Sequence, residues 1–162
     1  MTRKAFTIEE ANALIPRMER VFEQLRDQLE TVRTQTDRVK ILDVMWGDAV
    51  QDPHNPDHDE YVGHNAAIRD AFHAIERIIQ EEISGRGIRF PSGGLEQGLL
   101  DFPTTFRGRW VYLCWRRGER NITAWHEVDG GFAGRRPVTA DLARRMGRED
   151  DPAQIDDSML DF

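Results

Sequence analysis

Apolar positions recur along the first half of the chain at steps of three and four, and two stripes of this kind divide it. The first runs through Leu14, Met18, Val21, Phe22, Leu25, Leu29 and Val32, and continues more weakly through Val39 and Leu42. That period belongs to one face of a helix. Its start is marked by Thr7 three residues before Glu10, a capping-box spacing with Phe6 placed as a staple. Pro16 predicts a kink, or a short helix ending near Leu14 and a second one from Pro16 to about residue 44. The second stripe, Ile68, Phe72, Ile75, Ile79 and Ile83, predicts a helix over about 62–84. At 1.5 Å per residue the two helices are about 40 and 34 Å long. Helices of such similar length, each with one apolar face, pack most simply as an antiparallel hairpin. Leu25 and Phe72 are expected in its core.

Between the stripes, Gly47, Pro53 and Pro56 break the pattern, and "SGRGIRFPSGGLEQG" ends the second helix. The remainder reads as β. "LLDFP", "RWVYLCW" (109–115) and "NITAWHE" (121–127) read as short strands, with Gly118 in the turn between the last two. Val111, Leu113 and Trp115 share one strand face, while Trp110, Tyr112 and Cys114 share the other. Both faces are partly apolar, so one is expected against the helices and the other against a partner subunit. A glycine loop, a short helix at "TADLARRMG" and an acidic tail follow. The fold class is therefore α+β: a long antiparallel helical hairpin packed on a small antiparallel β-sheet. The domain expectation is one α+β domain over 1–147 and a disordered tail over 148–162.

Composition changes this picture little. The chain of 162 residues has a net charge of −7, with 39% hydrophobic and 31% charged residues, which reads as soluble and globular. The charge is unevenly placed: Glu149–Phe162 holds acids and no base, whereas Arg86–Arg148 is rich in arginine. Nucleic-acid binding through that arginine-rich part is a second alternative, opposed by the overall acidity. No apolar run is long enough to span a bilayer, and no secretory signal opens the chain, so the expectation is a cytoplasmic protein without a membrane partner. A single cysteine, Cys114, fits a reducing compartment.

The blocks "FTIEEANALIPRM", "GLLDFP", "YLCW", "WHE" and "GFAGRRPV" resemble an uncharacterised family of small bacterial proteins, a domain of unknown function. The resemblance covers most of residues 5–138 and implies no catalytic residues. "FPSGG" and the acidic extension depart from the family pattern.

Candidate chemistry concentrates in two places. The loop with Asp52, His54, Asp57, His58 and Asp59, with His64 behind it, has ligand-type residues. Pro56 interrupts the His-x3-His spacing, so a solvated connection is expected there. The second place is the sheet end, where His126 and Glu127 are expected opposite Arg107 and Arg109, with Asp101 and Arg135 in flanking loops. Asp101, Arg107, His126, Glu127 and Arg135 are thus the candidate ligand-binding residues, with His126 and Asp101 as metal ligands and a divalent metal as the cofactor they suit. Regular alternation puts His126 and Glu127 on opposite faces, with His126 the one lining the pocket. Cys114 is set aside, because a turn centred on Arg117-Gly118 would hold it about 20 Å from His126 at roughly 3.3 Å per residue. The leading expectation is a binding or interaction protein that forms a homodimer and takes a small anionic ligand or a protein partner. The alternative is a metal- or anion-dependent enzyme built around His126, Asp101 and Arg107.

Overall fold

A computed structural model describes residues 3–161. The elements run α1 (Ile8–Trp46), α2 (His58–Ile78), α3 (Gly94–Gln97), β1 (Leu99–Phe106), β2 (Arg109–Arg116), β3 (Ala124–Glu127), β4 (Arg136–Pro137) and α4 (Ala140–Arg145). Two compact units result, one of residues 23–78 and one of the rest. The fold is the α+β arrangement expected, with a four-stranded antiparallel meander in the order β1-β2-β3-β4.

Residues 23–78 form the helical hairpin. Trp46 Nε1 donates to Asp57 Oδ2 at 2.8 Å near the closed end, and His64 Nδ1 lies 2.5 Å from Gln35 Oε1 farther along. Those two pairs, with sequence separation growing from one to the next, define an antiparallel pairing. Leu25, Leu42, Ala71 and Ile75 are buried in this unit. Phe72 is not: it is 48% exposed, which corrects its placement in the core. Ala71 and Ile75 carry the buried seam, and a helix turns each successive residue by about 100°, so Phe72 falls on its flank.

The other unit packs the base of α1 on the sheet. The Thr7 cap forms, with Glu10 N donating to Thr7 Oγ1 at 3.2 Å, and Phe6 is buried edge-on against Phe102. α1 continues through Pro16 without a break. Ile15 rather than Leu14 is buried, with Met18, Val21 and Phe22 following at helical steps. Phe22 meets Trp115 of β2 at 6.0 Å between ring centres. β1 and β2 are joined at Arg107 (φ 51°) and Gly108 (φ 73°). Two consecutive left-handed residues make the tight turn whose twist matches an antiparallel pair.

The second sheet face departs from expectation. Trp110 and Tyr112 are covered by Leu160, Ile155 and Val128 of the same chain rather than left for a partner subunit. Residues 148–161 pack back on the same chain. Asp150 Oδ1 accepts from Gly108 N at 3.1 Å, Asp157 pairs with Arg3 at 3.1 Å, and Leu160 is buried. Phe162 lies outside the described residues. Among the described residues no helix is long and apolar enough to cross a membrane.

Candidate functional site

Strand register decides which side chains can meet. In β1–β2, Asp101 is directly opposite Cys114; in β2–β3, Cys114 is opposite Ala124 and Tyr112 is opposite His126. Asp101, Cys114, Tyr112 and His126 therefore project from one sheet face. Asp101, Cys114 and His126 are all buried, and a ligating atom from each lies within 4.8 Å of the other two. Exclusion of Cys114 from the site was an error of register. The β2–β3 connection is not a tight turn at Arg117-Gly118 but a longer loop. It is held by Glu19 accepting from Gly118 N at 3.0 Å, Asn12 Oδ1 accepting from Ile122 N at 2.7 Å and Trp115 Nε1 donating to Glu119 O at 2.9 Å. The extra loop residues slide β3 along β2 and carry His126 towards Cys114.

These three residues form part of the wall of a cleft of about 330 Å³, which Arg89, Pro91, Ser92, Gln97, Leu99, Gly131 and Phe132 complete. Arg89 is placed by backbone, bridging to Asp101 through hydrogen bonds of 2.8 and 3.0 Å. Its guanidinium stacks over Tyr112 at 5.0 Å and donates from Nη1 to Asp101 Oδ2 at 2.8 Å. Asp101 thus spends one oxygen on Arg89 and turns the other, Oδ1, to His126 Nε2 at 3.0 Å.

The imidazole is oriented from behind. His126 Nδ1 lies 2.7 Å from the carbonyl oxygen of Glu127, which can only accept, so Nδ1 carries a proton. Nε2 is then the variable atom. Protonated, it donates to Asp101; deprotonated, it aims a lone pair at the point where Asp101 and Cys114 converge. Burial disfavours the imidazolium, yet the hydrogen bond to Asp101 and its charge outweigh burial and leave the His126 pKa raised. Burial pushes the Cys114 thiol up to about 12, and the Asp101 carboxylate beside it acts in the same direction. The cluster is therefore a neutral thiol beside a hydrogen-bonded His–Asp pair.

The other candidate residues are placed elsewhere. Arg107 sits in the β1–β2 turn over the ring of Phe106. Glu127 pairs with Arg109, whose Nε is 3.0 Å from its Oε2. Arg135 borders the site without entering it, donating to the Cys114 carbonyl at 3.3 Å and to Glu119 at 2.9 Å while stacking on Phe132. In the 52–59 loop the histidines are used locally: His54 meets Asp52 at 3.1 Å and His58 Nδ1 meets Val50 O at 3.0 Å. Sequence reasoning missed Arg89, which it placed in a Gly- and Pro-rich loop. The signal for Cys114 was present in "TFRGRW", since a two-residue Arg-Gly turn puts Cys114 opposite Asp101.

The family model described as "Uncharacterized conserved protein (DUF2203)" matches residues 4–138, a span that contains Arg89, Asp101, Cys114 and His126. No curated protein and no solved structure matches the chain.

Proposed function

The chain belongs to that uncharacterised conserved family, and from this premise we propose that it binds a divalent transition metal, zinc above all, through Asp101, Cys114 and His126. The observation that carries the reading is the convergence of three buried ligating atoms of three types within 4.8 Å on one sheet face. Nitrogen, sulfur and oxygen donors together suit zinc, whose bonds to them are about 2.0–2.3 Å. Ligand atoms around tetrahedral zinc stand roughly 3.3–3.8 Å apart, so small side-chain rotations close the set.

Outer partners fit the same role. Metal-bound histidines commonly give their second N–H to a carbonyl or carboxylate, as His126 does to Glu127, and ligating carboxylates are themselves hydrogen-bonded, as Asp101 is to Arg89. Charge balances too: a dication faces the carboxylate and a thiolate, with Arg89 on the carboxylate's far oxygen. A dication would offset the burial that keeps the Cys114 thiol protonated.

Three protein ligands would leave a fourth position, and all three residues line the cleft. Open positions of that kind hold water or substrate in catalytic sites, where the metal polarises a carbonyl or lowers the pKa of bound water. The reading is thus a metal-dependent enzyme acting on a small molecule admitted by the cleft. A reducing, cytoplasmic setting suits it, because the thiol must remain unoxidised. Nucleic-acid binding is disfavoured, since Arg89, Arg109, Arg117, Arg135, Arg145 and Arg148 each pair with a carboxylate of the same chain.

Titration of the reduced, chelator-stripped protein with Co²⁺ tests the metal reading. One equivalent should produce thiolate-to-cobalt charge-transfer absorption, which Cys114→Ser removes and His126→Ala or Asp101→Asn strongly weakens. If no such band forms and zinc is not retained through gel filtration, the three residues are a buried structural cluster and the proposal is wrong.

Self-association is a second reading, carried by exposed Ile41, Val44 and Met45 at helical spacing in the hairpin. The occupant of that face would be a second copy in a two-fold homodimer. Sedimentation at micromolar concentration showing only monomer would remove it.

A further inference from the structure

Arg89 has two loyalties that the metal site alone does not explain. Its inner edge serves Asp101 through Nη1 at 2.8 Å. Its outer edge, Nε and Nη2, holds both oxygens of Asp161, at 2.8 and 2.9 Å. That is the parallel fork by which arginine binds a carboxylate. Asp161 comes from the 148–161 segment, outside residues 4–138 of the family match.

We infer that the outer edge of Arg89 is the recognition site for a carboxylate-bearing small molecule, and that Asp161 occupies it as an intrachain competitor. The inference rests on the metal reading only for what lies across Asp101 from the fork.

Three observations carry it. First, Arg89 does not need Asp161 to be held: the backbone bridge to Asp101, the Nη1 bond and the Tyr112 ring fix its guanidinium without it. Second, burial is lopsided. The Arg89 side chain is 16% exposed and that of Asp161 is 72% exposed, so a single solvated acid covers the fork from outside. Exposed ion pairs contribute little, and exchange of one carboxylate for another there is cheap. Third, the segment is fastened elsewhere, by Leu160 against Trp110 and Tyr112, Asp157 on Arg3 and Asp150 on Gly108 N. Asp161 can therefore swing away while the rest of the strap stays docked.

The geometry also links the fork to the metal reading. Arg89 and His126 both line the cleft, and Asp101 joins them, bonded to Arg89 through one oxygen and to His126 through the other. Asp101 thus couples the Arg89 fork to His126, one of the proposed metal ligands.

The experiment follows the Arg89 Nε–H and the Leu160 and Asp161 amide resonances by NMR while acetate is added, with chloride at equal ionic strength as the control. Metal-free and zinc-treated samples are run side by side. Acetate is expected to shift the Arg89 and Asp161 signals together and to leave Leu160 nearly fixed. Asp161→Asn, at an exposed position, should lower the half-saturating acetate concentration roughly fivefold, the worth of an exposed ion pair. Arg89→Lys should abolish the response in either background. Equal acetate affinity in wild type and Asp161→Asn, or shifts matched by chloride, would overturn the inference. If acetate acts in the metal-free protein but zinc never binds, only the metal reading falls. If zinc binds and acetate leaves Arg89 and Asp161 unmoved, only the carboxylate site falls.

Discussion

Replacing Cys114 by serine separates a metal centre from a structural cluster, because it spares the His126–Asp101 pair. In the metal-free protein Cys114 is a buried neutral thiol, its pKa pushed up to about 12 by burial. A slightly smaller hydroxyl in its place should cost about 1 kcal/mol, the ordinary scale of a point change. Zinc at 100 times its dissociation constant should stabilise the wild type by about 2.7 kcal/mol. For a chain of this length each kcal/mol moves the melting temperature by roughly 2–4 °C, so the zinc-induced rise should be about 5–11 °C. Loss of a ligand should weaken zinc at least about 100-fold, more than the loss of an outer-shell partner does. At the same zinc concentration Cys114→Ser would then gain only about 0.4 kcal/mol, or roughly 1–2 °C. Scanning calorimetry under reducing conditions, with and without zinc, reads both quantities. A serine variant that keeps the full zinc-induced rise would refute the role of Cys114. A wild type with no rise would refute the site.

Further outcomes follow from the same structure. In the chelator-treated protein the His126 pKa is raised, with burial opposing and the Asp101 interactions prevailing; its contribution is full below the unfolded value of about 6.5 and is lost as pH rises through the folded value. The urea midpoint should therefore fall from pH 6 to pH 9, and this part of the fall should vanish in His126→Gln. Glu82 is held down to about 2, first by the Arg17 hydrogen bond and then, against burial, by the Arg17 charge. Its contribution is present above the unfolded value near 4.3 and is lost as pH falls towards 2, so Glu82→Gln should flatten the acid limb of the stability profile. Leu25→Ala should cost about 2–5 kcal/mol because that side chain is fully buried. Phe72→Ala, at a half-exposed position, should cost clearly less in the same chemical denaturation series.

The periodic elements were legible in the chain itself. Thr7 and Glu10 mark the start of α1, the apolar steps from Met18 to Leu25 define its buried face, and the short apolar run from Trp110 to Trp115 marks β2. Each of these signals is local: a cap, a stripe or a bounded apolar run is written within a few residues. The sequence also groups Asp101 with His126, although it puts Asp101 in a flanking loop rather than on β1. Phe72 shows the limit of such reading, because an apolar residue one position off the seam still looks periodic.

Register, loop length and chain return were decided only in three dimensions. Whether His126 faces Cys114 depends on how many residues the β2–β3 loop absorbs, and that number is set by Asn12 and Glu19 of α1 holding the loop's N–H groups. A shift of a few residues there moves His126 from the far end of the hairpin to bonding distance of Asp101. The return of residues 148–161 onto Trp110 and Tyr112, and the grip of Asp161 on Arg89, join positions far apart in sequence. No local pattern encodes such contacts, because their energy arises only when the sheet has already formed the apolar face and the oriented guanidinium that the returning segment covers.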